Sequence, residues 1–369
     1  MSSGLTPQSA ELWVRLVGKN LQSEVEQLRP HIENMGMKWA NPQPRIMPHL
    51  IEETGLGMLS PYVDNVYELY DDGLEWLRIR GFEAAVYKGL GFIGYGGTLE
   101  VAPSRRRKWH WDQLALDRLP ITEADLPRVA GVARLSVSRR TKVARVFRGY
   151  DIRALELSYS KLGSTILSAH SGVRVGEDQT KWSFGQYHEI ALALDKATQQ
   201  ALGIHIDGGD GLSWDDLTVP WEGVDVPWED LGAGTAQRFM AGEFVRLGGY
   251  LGFYREDGSL IGARRFKITQ QVSSETTTYQ INGEKVGPDP AGQRVFIEAL
   301  TGFGNGAGEE LHSIALLMGA KPVVGLPQAQ SWLLPDQIVT PIAPVLHQPL
   351  AFEFQHTRRE RIKLLLSFS

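Results

Sequence analysis

Residues 243–272 read EFVRLGGYLGFYREDGSLIGARRFKITQQV, and this stretch decides the fold class. Aromatic, β-branched and Leu residues run between glycines, and Glu256, Asp257 and Gly258 stand where a hairpin would turn. Strands are predicted on both sides of that turn. The same texture extends outward to ARVFRGYDIRALELSYSKLG (144–163), KWSFGQYHEIALAL (181–194) and the polar VSSETTTYQING (272–283). Residues 121–290 therefore read as a β-rich domain, either a sandwich or an irregular barrel. ITEADLPRVAGVARL, at its start, holds a short helix.

The first third has a different period. Ser9 stands as a cap for a helix starting near Ala10, in which Val14, Leu21, Val25 and Leu28 share one stripe with Gly18 in the seam. Ile32 and Met35 continue the 4-3 spacing beyond Pro30. Such a stripe suits packing on partner helices, or else on the core of its own domain. Proline lacks the backbone donor, so a break near Arg29 is predicted. NPQPRIMPHL (41–50) is a proline-punctuated connection. A helix follows over about 61–79, with Val63, Val66, Leu69, Leu74 and Leu77 apolar and Gly73 weakening its middle. RGFEAAVYKGL is another, closed by Gly91 as a C-cap.

Near the other end, AGEELHSIALLMGA (307–320) has Leu311, Ile314, Ala315 and Met318 on one helical face. The stretch 326–354 is too rich in proline for a regular element, and RRERIKLLLSFS closes with an apolar run that packs on its own domain or on a neighbour. The fold class is α+β: a helical N-terminal region, a sandwich-like β region and an irregular C-terminal region. The expected boundaries are 1–40, 41–120, 121–290 and 291–369.

Composition sets limits on function. The chain has 369 residues, 42% of them hydrophobic and 22% charged, with a net charge of −5. Those are globular values, and an acidic balance argues against a general nucleic-acid binder. There are no cysteines, so disulfides and thiolate zinc sites are excluded. No basic-then-apolar leader and no long apolar run are present, and a soluble protein with no secretory signal or membrane span is expected.

No pattern of catalysis emerges. Gly89, Gly91 and Gly94 match G-x-G-x-x-G, but the segment before them reads as a helix and no helix start follows, so no cofactor is expected. Asp207 and Asp210, with Asp215 and Asp216 behind them, read as an acidic turn and depart from calcium-loop spacing. His188-Glu189 lacks the second histidine of a metalloprotease helix, and Ser171 beside His170 lacks a nucleophile elbow. No metal site is expected.

Two stretches have the composition of contact surfaces. Arg105, Arg106, Arg107 and Lys108 precede Trp109, His110 and Trp111. This is a solvated edge with anchoring aromatics, or a contact to an acidic partner surface, since Arg and Trp are enriched in interface hot spots. In SWDDLTVPWEGVDVPWEDL (213–231), Trp214, Trp221 and Trp228 recur every seven residues, each followed by an acid. Pro220 and Pro227 forbid a coiled coil, an interior proline costing a helix roughly 3 kcal/mol. The repeat is extended chain or turns whose tryptophans enter their own core, a partner's pockets or a sugar-stacking face.

Residues 41–117 carry a resemblance. Asn41-Pro42, Pro48-His49-Leu50, Arg80-Gly81 and a helix ending at Gly91 before strands occur in order, followed by WHWDQLALDRL. This pattern resembles the phage tail protein I family, the baseplate wedge component of contractile tails. Later segments, VFRGYDIRALELSYSKLGS, SGVR and KWSFG, are similar to parts of longer phage tail proteins. The chain is longer than the usual member, and most of it after about 120 is additional.

The resemblance implies a structural, non-enzymatic virion part assembled in the bacterial cytoplasm. Its implied partners are two copies of a larger wedge subunit, the tail hub or sheath, and a tail fibre, with no membrane or direct nucleic-acid contact. Val14, Leu21, Val25 and Leu28 would join a helical bundle. Arg105, Arg106, Trp109, Trp111, Trp214, Trp221 and Trp228 are further candidate interface residues. The competing expectations are a receptor-binding or fibre-attachment protein, and a carbohydrate-active enzyme with two carboxylates facing across a cleft.

Overall fold

The computed structural model describes residues 9–37, 44–65, 67–102, 109–149, 153–154, 165–166, 170–176, 179–206, 233–270, 279–281, 284–286, 292–327 and 330–368. The fold is α+β, with several N-terminal helices followed by an extensive multi-stranded region whose sheets do not close into a barrel. The chain divides into two compact units. One comprises residues 1–94 with 131–138; the other comprises 95–130 with 139–369.

The first unit is helical. Leu12–Met37, Met47–Thr54, Tyr70–Ile79 and Glu83–Phe92 are its helices, with a 3-10 turn at Leu56–Leu59. From Gly131 on, the helix Asp125–Ser136 also belongs to it. Leu50, Leu56, Leu59, Trp76, Ala85, Val86, Leu90 and Val132 are buried. At their centre the Trp76 indole Nε1 donates to the Ala85 carbonyl at 3.1 Å and to Ser136 Oγ at 3.0 Å. A buried indole N–H needs such a partner.

Three expectations change here. The first helix runs through Pro30 without a break. A proline inside a helix removes one hydrogen bond but does not oblige the chain to stop. The helix expected from 61 begins at Tyr70. Asn65 accounts for the delay: its Oδ1 accepts the Tyr67 N–H at 3.2 Å, and its amide reaches Glu68. Such local bonds compete with helix formation. The helix expected to close at Gly91 extends to Phe92, and Gly94 takes the left-handed conformation, φ +71°.

The second unit is built on two sheets. The larger runs in the order Gly97–Glu100, Trp111–Leu116, Lys142–Arg148, Lys181–Leu194, Arg358–Phe368, Arg294–Leu300, Lys267–Thr269. Val173–Arg174 pairs beside the start of Lys181–Leu194. The middle junctions are parallel, and the pairings toward the edges are antiparallel. Helix Asp125–Ser136 forms the crossover between the parallel strands Trp111–Leu116 and Lys142–Arg148. The second sheet is antiparallel: Trp332–Leu333, Leu260–Arg265, Gly249–Tyr254, Glu310–Met318, Val345–Glu353.

The sheets share one apolar core. Val295, Ile297, Ile362, Leu364 and Leu366 from the first join Leu251, Phe253, Ile261, Ile314 and Leu316 from the second. The hairpin signalled by Glu256-Asp257-Gly258 forms, with Gly258 at φ +78° and its N–H on the Arg255 carbonyl at 3.0 Å.

The C-terminal part departs most from expectation. Residues 307–320 are not a helix but contain the strand Glu310–Met318. From Ile314 on, both of its faces are covered: Ile314, Leu316 and Met318 join Leu311 in the main core, and Leu317 enters a second cluster with Tyr250, Ala263 and Leu333. A strand buried on both faces has no alternation for the sequence to display. EFVRL, expected as strand, lies in the helix Ala233–Leu247, which adds Met240, Ala241 and Phe244 to the core.

Nor is the proline-rich stretch irregular, for it supplies the edge strand Val345–Glu353, with Pro349 inside it. An edge strand tolerates the missing donor. The RRERIKLLLSF segment packs into its own unit, between Lys181–Leu194 and Arg294–Leu300. Residues 120–123, where the composition shifts, are tied to the start of that strand. Arg358 Nη2 donates to the Pro120 carbonyl at 2.8 Å, and Glu123 Oε1 accepts from the Thr357 amide at 2.9 Å.

Candidate assembly surface

Leu12–Met37 is 26 residues long, about 39 Å at 1.5 Å per residue. The stripe residues from Val14 to Leu28 do not enter the buried core of the first unit. Leu21, Val25 and Leu28 are each more than half exposed, and Val14 is half-buried. Leu12, Trp13, Leu16 and Val17 are also more than half exposed, so the first turns are apolar well beyond the stripe. The sequence reading missed these four residues, although apolar residues at adjacent positions 12–13 and 16–17 signalled a second apolar face. Helices of soluble proteins usually bury one apolar face, and a long uncovered one marks an interaction site.

Trp109 and Trp111 come together with a cation. Trp109 is 53% exposed. His110 lies edge-on to both indoles, at 5.6 and 6.2 Å between ring centroids. Trp111 begins a strand of the larger sheet, and Lys142 Nζ lies 5.3 Å from its ring centroid. One indole of the pair is therefore held at the start of an inner strand, and the other is open. Arg105, Arg106, Trp214, Trp221 and Trp228 lie outside the described residues, as does the acidic turn from Asp207 to Asp216. A further exposed apolar tip was not anticipated: Val323, Val324, Leu334 and Val339, with Val324 fully exposed.

Several polar side chains of the second unit join its strands. Arg145 is buried and donates to the Ser171 carbonyl at 2.9 Å, Ser171 Oγ at 3.2 Å and Gln113 Oε1 at 2.9 Å. Burial, and then the charges of Arg174 and Arg145, hold the Lys181 ammonium below the usual lysine range. Glu189 faces Lys363 at 2.9 Å, and Glu298 faces Arg361 at 2.8 Å, as rungs across the larger sheet.

His188 pairs with Glu360, Nε2 to Oε2 at 2.8 Å, and stacks on Phe352 at 4.9 Å. This pair joins residues 172 positions apart, which no local spacing announces. Both side chains are almost completely enclosed, so the pair is a buried hydrogen-bonded link between neighbouring strands. Tyr95 is pushed up to about 12 by burial and then by its bond to Asp125.

Among the described residues no group of three or more His, Cys, Asp or Glu is arranged to hold a metal, and no helix is long and apolar enough to cross a membrane. The glycines of the apparent dinucleotide pattern lie in and just after helix Glu83–Phe92, so strand-turn-helix geometry is missing. The chain matches no protein-family model and no curated protein.

Proposed function

We propose that this chain is a structural wedge component of a contractile phage-tail baseplate. It assembles with other wedge subunits around the tail hub and links them toward peripheral fibres, without catalysis. The motifs within residues 41–117 suggest the family, and one observation carries the assembly role: a 26-residue helix on which Leu12, Trp13, Leu21, Val25 and Leu28 are each more than half exposed. A free surface of that kind is costly in solution and is ordinarily matched by a partner. The half-open Trp109–Trp111 edge suits the rim of a second contact.

The test is co-expression with the products of neighbouring genes, followed by affinity purification and native mass measurement. The expected result is a complex with a larger subunit that is lost when residues 1–40 are deleted. A chain that binds none of these neighbours but retains host surface polysaccharide overturns the wedge role in favour of receptor binding.

A further inference from the structure

We infer that the helix Leu12–Met37 pairs first with a second copy of itself, as a parallel two-stranded coiled coil. The inference rests on the proposed role of this helix as an assembly surface and names its partner. Place Val25 at position a of a heptad. Gly18 is then also an a residue, and Val14, Leu21 and Leu28 fall at d. A β-branched residue at a with leucine at d favours two parallel strands over higher orders. Leu21, Val25 and Leu28 are all more than half exposed along this seam. Gly18 supplies no side chain to the seam, which therefore rests on Val25 at a and on Val14, Leu21 and Leu28 at d.

The flanking charges select the same partner. In this frame Glu24 is at g and Arg29 is at the following e, and both are exposed. In a parallel, in-register pair, g of one helix lies beside the next e of the other, so Glu24 meets Arg29 of the second copy, twice by symmetry. An antiparallel pair sets g against g and e against e and forfeits both contacts. Pro30 falls at f, on the back of the helix, where its ring meets no partner. Self-pairing therefore covers the stripe from Val14 to Leu28. Leu12, Trp13 and Leu16, at b, c and f, stay open for a different subunit.

The test uses the full chain, which has no cysteine of its own. Light scattering should give twice the 41.0 kDa of one chain. Val25→Cys should oxidise to a linked dimer, because the two a positions face one another, while Lys19→Cys, at b, should not. Glu24→Arg should weaken dimerisation about tenfold at low salt, and Glu24→Arg with Arg29→Glu should restore it. A monomer at every concentration, equal cross-linking at positions 19 and 25, or no rescue by the double swap overturns the inference. Loss of self-pairing with the larger-subunit complex intact leaves the wedge role standing. Self-pairing with no such complex removes the wedge role and keeps the coiled coil.

Discussion

A Cβ added at Gly89 would lie 2.7 Å from Ser136 Oγ, 3.0 Å from Val132 Cγ1 and 3.1 Å from the Trp76 indole nitrogen. Gly89→Ala should therefore cost the first unit about 1–3 kcal/mol by overpacking, read from the shift of its urea unfolding midpoint. In the sequence Gly89 is one letter of a cofactor-like pattern. Its packing role depends on Ser136, 47 positions away in the numbering, and no local spacing conveys that. Glu360 is similar. Glu360→Ala would leave His188 enclosed without its hydrogen-bond partner, and a loss of about 1–3 kcal/mol is expected in calorimetric or denaturant unfolding of the second unit. Tyr95 makes the alkaline limit testable. Its hydroxyl keeps its proton to about 12 when folded, against 10.0 for a free tyrosine. The stability it contributes is complete below pH 10.0 and falls as pH rises from there toward about 12. Tyr95→Phe should flatten that part of the stability–pH curve, measured by denaturant titration at alkaline pH.

Among the elements, those marked by alternation or by flanking turn residues were legible, and an apolar run without either was not. Trp111–Leu116 alternates half-buried and buried residues, and Lys181–Leu194 and the Asp257 hairpin fall where β-branched residues and turn signals place them. Glu310–Met318 lies between two apolar clusters, and its unbroken Ile-Ala-Leu-Leu-Met run fits a helical face equally well. Ala233–Leu247 was masked by the glycines that follow it, whose texture belongs to the next strand. The helix Leu12–Met37 was legible as a stripe, but its openness was not, because a repeat of apolar residues does not say what covers them. Pro30 sits inside this helix with no core to hold it. Pro30→Ala restores a donor and a strong helix former, worth about 3 kcal/mol to the helix. Amide exchange across the turns flanking position 30 should slow, while exchange in the second unit stays unchanged.

For the molecule as a whole, α+β class followed from the change of period along the chain, while the sheet order did not. The strand Arg358–Phe368 lies in parallel along Lys181–Leu194 over eleven successive pairs, and antiparallel to Arg294–Leu300 on its other side. Nothing in a linear pattern names a partner so far away. A chain stopped at Thr357 would lose the strand that joins the two halves of the larger sheet, together with Ile362, Leu364, Leu366 and Phe368 from the shared core. Such a chain should lack cooperative unfolding of the second unit by circular dichroism, while the helical unit still melts as a unit. The same strand orders events during synthesis. The helix Leu12–Met37 leaves the ribosome before any of these strands exists. The larger sheet cannot close until Arg358–Phe368 follows, long after its neighbour has been made. Until then Lys181–Leu194 offers an unpaired strand edge, so the second unit stays open to mispairing with another growing chain through most of its synthesis.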